Sequence, residues 1–100
     1  MLEAEVIKRV QAWAKKEKME YIRLVLNPRV AAGWPDFMYL IPGGRPVFIE
    51  YKATGKKPTP MQRKRIKDLD ALGYDVVVAD CPDFAIGYLS NARKRASCGS

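Results

Sequence analysis

The stretch GWPDFMYLIPGGRPVFIEYKATG, Gly33 to Gly55, constrains the fold more than any other part of this chain. Two short runs rich in aromatic and aliphatic residues, DFMYLI and PVFIEYKA, flank PGGR, and that arrangement predicts a hairpin. The first run is continuously apolar, as an inner strand covered on both faces would be. Yet each run carries one acid, Asp36 or Glu50. Counting outward from Gly43 and Gly44, Asp36 stands seven residues before the first glycine and Glu50 six after the second, so the carboxylates fall opposite or nearly opposite each other. Side chains alternate along a strand, which puts Phe48, Glu50 and Lys52 on one face and Val47, Ile49 and Tyr51 on the other.

The flanking sequence supplies helices. Leu2, Val6, Val10 and Trp13, with Ile7 and Ala14 beside them, recur at helical spacing and predict an amphipathic helix over residues 2–18. A strand is expected at about 20–26, ended by Asn27-Pro28 and followed by a loop up to Gly33. Thr59 as cap, Pro60 in the first turn and Gly73 beyond the end predict a second helix from Pro60 to Leu72. YDVVVA reads as a fourth strand, and CPDFAIGYLSNARKR as a last helix capped by Asp80 or Cys81 with Pro82 at its start. The order αβββαβα describes an α/β domain in which helices flank a four-stranded mixed sheet. One hundred residues suffice for one core, so residues 1–95 are expected to form a single domain and 96–100 a flexible tail.

Composition excludes several chemistries. The chain has no histidine, so histidine bases, histidine-ligated zinc and Ser-His or Cys-His nucleophiles are ruled out. Cys81 and Cys98 are too few for a disulfide framework. No apolar run approaches a bilayer span, and the acidic, amphipathic MLEAEVIKRV is no signal peptide, which points to the cytoplasm. A net charge of +7 favours polyanions. Binding to an anionic membrane would call for a long basic helix with an aromatic face, which the sequence lacks.

Two carboxylates facing each other across a strand pair repel, and in a low-dielectric core one of them would take up a proton. A divalent cation removes that penalty. Mg²⁺ or Mn²⁺ suits hard oxygen ligands and is typically held by one or two carboxylates plus a substrate phosphate. A lysine two residues from one acid can orient an attacking water or stabilise developing charge. The residues therefore suit metal-assisted phosphodiester hydrolysis.

GWPDFMYLI, VFIEYKATGKKPTPMQ and LGYDVVVAD together resemble the VRR-NUC domain, a branch of the PD-(D/E)xK nucleases, in its stand-alone phage and bacterial form. The resemblance implies a restriction-endonuclease-like core and a metal-dependent DNA endonuclease with Asp36, Glu50 and Lys52 in its active site. It also implies that the backbone carbonyl of Tyr51 completes the Mg²⁺ or Mn²⁺ shell, with no organic cofactor. A homodimer cutting branched DNA, in the manner of Holliday-junction resolvases, is expected in the bacterial cytoplasm, or in that of the host if phage-encoded.

The family carries a glutamate on its first helix, and Glu3 has the required spacing to Val6, Ile7 and Val10; Glu5 is the rival. Gln62 matches a family glutamine at the start of the second helix. It equally fits a capping box with Thr59, in which the glutamine bonds back to the cap. Trp34 departs from the family, where a small or aliphatic residue usually stands, and reads as core or dimer surface rather than a base-stacking platform.

Lys56, Lys57, Arg63, Lys64, Arg65 and Lys67 cluster just after the acids, and Arg93, Lys94 and Arg95 form a second group. Gln62, Ile66 and Leu69 make the stripe that faces the sheet, so residues 63, 64 and 67 face away from it. Lys56, Lys57, Arg63, Lys64 and Lys67 are candidates for a track of DNA phosphates. A non-catalytic DNA-binding module retaining the nuclease fold is the alternative, but such a module has no need for both acids and the lysine.

Overall fold

The computed structural model describes residues 1–98 except Leu26, Pro28, Val30 and Ala31. Its elements run α1 (Glu3–Lys16), β1 (Tyr21–Arg23), β2 (Phe37–Tyr39), β3 (Val47–Tyr51), α2 (Pro60–Ala71), β4 (Asp75–Ala79) and α3 (Pro82–Cys98). The four strands form one sheet in the order β1-β2-β3-β4, with the first two pairings antiparallel and the third parallel. The expected order and mixed sheet are thus observed.

The elements are shorter than the sequence reading at several ends. The first strand spans three residues rather than seven; Leu26, its expected last residue, lies outside the described residues. Its backbone pairing nevertheless continues past both ends, because Leu24 N–H donates to the Asp36 carbonyl (2.7 Å) and Leu40 N–H to the Glu20 carbonyl (2.9 Å). Helix α1 stops at Lys16 because Lys18 adopts a left-handed φ of 56°. Met19 N–H then reaches the Ala14 carbonyl (2.8 Å) and Lys18 N–H the Lys15 carbonyl (3.2 Å), a Schellman ending without the usual glycine. Helix α2 ends the same way, with Gly73 at φ 89° in the expected place. Helix α3 continues to Cys98, beyond the expected end at 95, and Ala96 packs against the core.

Strand alternation divides the sheet into two unlike faces. Phe37, Tyr39, Val47, Ile49 and Tyr51 are buried on the first. They pack with Val6, Val10 and Ala14 of α1, spaced one turn apart, and with Ala85, Leu89 and Ala92 of α3. The second face carries Met38 and Phe48, which are half-buried, and the buried Glu50. There α2 provides the cover, with Leu69 as its buried anchor. Among the described residues no helix is long and apolar enough to cross a membrane.

Candidate active site

The register of the hairpin pairs Phe37 with Ile49, Met38 with Phe48 and Tyr39 with Val47. One more step along the same register sets Asp36 opposite Glu50. The centre of that register is Gly43, at φ 73°, within a turn closed by Gly44 N–H donating to the Ile41 carbonyl (2.9 Å).

Glu50 is the most unusual residue in the fold. It is 2% exposed, the sole buried charged side chain among the described residues, and its Oε1 has no hydrogen-bond partner. Its other oxygen, Oε2, lies 3.9 Å from Lys52 Nζ, too long for a tight ion pair. Burial, followed by the charge of Asp36 and a shared hydrogen bond with it, pushes the Glu50 carboxyl up to about 8 despite the opposing pull of Lys52. Glu3 adds a further, weaker upward push. At neutral pH the free protein therefore holds a proton where two carboxylates meet. Lys52 N–H is tied to the Ala79 carbonyl at 2.9 Å, so the parallel neighbour β4 anchors the backbone that carries the lysine.

The two helix-1 candidates have different surroundings. Glu5 Oε1 accepts the backbone N–H of Leu2 (3.2 Å) and serves the helix start, whereas Glu3 is the acid whose charge reaches Glu50. What brings Glu3 there is a link absent from the sequence reading: Thr54 N–H donates to the Met1 carbonyl (2.9 Å), joining the start of α1 to the exit of β3. Gln62 makes the capping box in full, accepting Thr59 N–H through Oε1 (2.9 Å) while its own N–H donates to Thr59 Oγ1 (3.2 Å). Asp80, read from sequence as a possible helix cap, clamps the loop after Lys52. Its Oδ2 accepts Gly55 N–H (3.0 Å) and its carbonyl accepts the Thr54 hydroxyl (2.9 Å). An acid at the C-terminal end of a strand parallel to the lysine-bearing one was the available signal.

Lys56, Lys57, Lys64 and Lys67 are exposed, and Arg63 is exposed with its guanidinium donating to the Pro58 carbonyl (3.0 Å). Arg65 departs from this row. It is half-buried with its guanidinium carbon 5.3 Å from the centre of the Trp34 ring. Trp34 in turn meets Phe48 edge-on at 6.4 Å, so it is part of the packed second face.

Among the described residues no three or more His, Cys, Asp and Glu side chains converge as a metal-binding cluster. Mg²⁺ needs no such cluster, since it keeps several waters and takes one or two carboxylates. The unpartnered Oε1 and the raised carboxyl of Glu50 fit a hard cation shared with Asp36.

The mixed sheet thus brings two acids to facing positions at the end of its central hairpin, with a lysine beside one of them. The chain belongs to the VRR-NUC domain family, whose model matches residues 3–82. It is similar to a protein named "Putative nuclease p44" from Acyrthosiphon pisum secondary endosymbiont phage 1, at 43% identity over 53 residues, which are 53% of this chain and 57% of that protein. The match thus spans less than two thirds of that relative's length. A solved structure titled "VRR_NUC domain protein" superposes with a TM-score of 0.75 at 28% identity, covering 94% of this chain and 89% of the other. A second, titled "VRR_NUC domain", shares the fold with a TM-score of 0.75 at 22% identity, covering 89% and 94%.

Proposed function

We propose that this protein is a nuclease that hydrolyses DNA phosphodiester bonds with the help of Mg²⁺ or Mn²⁺, acting in the cytoplasm. The observation that carries this reading is the buried Glu50 carboxyl beside Asp36 and Lys52, one oxygen of which has no hydrogen-bond partner. Asp36, Glu50 and the Tyr51 backbone carbonyl would hold the cation. When bound, it polarises the phosphodiester and makes a water more acidic. Lys52 orients the attacking water and stabilises charge developing on the phosphate oxygens. Glu3 assists through an intervening water. The amide oxygen of Gln62 is occupied by the helix cap, which leaves its NH₂ edge to orient Lys52 or the phosphate. Lys56, Lys57, Arg63, Lys64 and Lys67 follow the DNA backbone. Branched DNA cut by a homodimer accords with this reading, because two sites related by a twofold axis can address two strands of a junction.

The test uses labelled four-way junction, flap, duplex and single-stranded DNA with Mg²⁺, Mn²⁺ or EDTA. Cleavage is expected with either metal, to be abolished by EDTA, and to fall on the order of 10²-fold or more in Asp36→Asn and Lys52→Ala. Cleavage indifferent to EDTA and to both substitutions would overturn the mechanism. Binding retained under every metal without cleavage would favour the non-catalytic module.

A further inference from the structure

Asp36 and Glu50 are held in place by different means. Glu50 lies inside β3, between two hydrogen-bonded neighbours, and the sheet fixes it. Asp36 lies just before β2, at the end of the Gly33-Trp34-Pro35 turn, and the sheet holds it through its carbonyl bond to Leu24. Two features dock that turn on α2. Gly33 has φ 80°, and a Cβ there would sit 2.6 Å from the Met61 carbonyl oxygen in the first turn of α2. One helical turn further on, Arg65 covers the Trp34 ring at 5.3 Å, and Phe48 closes the ring's other contact at 6.4 Å.

The contact the Arg65 guanidinium makes there is with the Trp34 ring, as a cation–π pair at 5.3 Å. Its Nε is buried without an acceptor, so no hydrogen bond at that atom explains the placement. A guanidinium is planar and weakly hydrated, and it lies against an aromatic face more readily than an ammonium does. Between Trp34 and Asp36 stands only Pro35, which is fully buried and has a locked φ; its ring also restricts the residue before it. Pro35 thus narrows the backbone freedom between the docked indole and Asp36, so a shift of the Trp34 backbone is little absorbed before it reaches Asp36.

We propose that Arg65 and Trp34 form a latch between α2 and the Gly33–Asp36 turn, and that Arg65 is thereby a positioning residue which sets Asp36 opposite Glu50 for the cation. The inference rests on the metal reading for its purpose, but the latch itself is a property of the free protein. Groups that orient a metal ligand from behind commonly change metal affinity 10- to 100-fold when removed.

Mn²⁺ binding, read from the electron paramagnetic resonance signal of the free ion, separates the possibilities. Arg65→Met and Trp34→Leu are each expected to weaken Mn²⁺ binding about tenfold. The double variant should be little worse than either, because both break one contact. Arg65→Lys should fall between wild type and Arg65→Met, and Lys94→Met, an exposed position with the same charge loss, should match wild type. Amide hydrogen exchange of the metal-free proteins supplies the second readout. The peptide covering residues 33–40 should exchange faster in Arg65→Met and Trp34→Leu and be unchanged in Lys94→Met.

Additive losses in the double variant, or exchange at 33–40 unaltered by Arg65→Met, would overturn the latch. Absence of Mn²⁺ binding by the wild-type protein would count against the metal reading alone. The latch would then stand or fall on the exchange result.

Discussion

The two faces of the sheet treat buried polar groups in opposite ways. On the face covered by α1 and α3, the hydroxyls of Tyr39 and Tyr51 share a hydrogen bond of 2.6 Å inside an apolar cluster. Burial pushes Tyr39 up to about 12 and Tyr51 still higher, so neither ionises over any ordinary pH range. On the face covered by α2, Glu50 is as deeply buried, yet one of its oxygens has no partner and its carboxyl sits near 8. A closed polar pair contributes to stability, whereas an open one leaves an oxygen able to accept a ligand. The difference is that each tyrosine oxygen has a hydrogen-bond partner, whereas Glu50 Oε1 has none.

Exchanging one polar atom on each face should therefore give opposite results. Glu50→Gln removes the charge of a proposed metal ligand and is expected to lower cleavage by on the order of 10²-fold or more. It should also stabilise the metal-free fold at pH 8, because a neutral amide replaces a carboxylate buried against Asp36. Tyr39→Phe strands the Tyr51 hydroxyl and should cost about 1–3 kcal/mol, while Tyr39→Phe with Tyr51→Phe recovers much of that loss. Cleavage assays and thermal melts on the same three variants check both halves. A Glu50→Gln protein less stable than wild type at pH 8 would break the contrast.

Much of this contrast was legible before any coordinates. Period-2 alternation and a two-glycine turn suffice to place Glu50 and Lys52 on one face and Asp36 across from them, since strand geometry leaves little freedom once the turn is located. The carboxylates carry the signal because acids rarely sit inside apolar strands. Sequence could not separate Glu3 from Glu5, because they differ by about half a helical turn near an end whose docking depends on a backbone bond from Thr54. Nor could it foresee the ending of α1, where Lys18 takes a left-handed conformation more often filled by glycine. The pairing of Trp34 with Arg65 joins residues 31 positions apart on a loop and a helix, so no local pattern announces it.

The turn that carries Asp36 gives the next largest effect. Gly33→Ala introduces a Cβ at a left-handed φ and 2.6 Å from a backbone oxygen that cannot rotate away. The expected loss is about 1–3 kcal/mol in a chemical denaturation experiment, accompanied by reduced cleavage because the turn must shift. Gly43→Ala shares a positive φ but meets nothing within 4 Å, so it should lose stability with cleavage largely intact. Equal losses of activity in the two would show that the Gly33 contact does not matter to the site.

The pH response follows from the open carboxyl. Glu50 is raised in the folded protein, so its contribution to stability is fully present below its unfolded value near 4.5 and is lost as pH rises through about 8. The melting temperature of the metal-free protein should decline from pH 5 to pH 8, and Glu50→Gln should remove that decline. The proposed metal binding should run the other way, because the carboxyl must lose its proton to become a ligand. Mn²⁺ affinity should rise toward pH 8, with proton release visible as a buffer-dependent enthalpy in calorimetry.

The smallest effect distinguishes the exposed cations from the one held against a ring. Lys57 stands free in the loop leading from the site, where its ammonium can neutralise a phosphate and release a counterion. Lys57→Ala should weaken DNA binding uniformly across sequences and reduce the slope of log affinity against log salt by about 1. Arg65→Met removes the same formal charge, yet its guanidinium lies over Trp34 and is half-buried, so its effect on that slope should be smaller. Fluorescence anisotropy titrations at several salt concentrations measure both. Identical slopes for the two variants would mean that the stacked guanidinium also meets the DNA backbone, and that the second face of the sheet binds substrate as well as shaping the site.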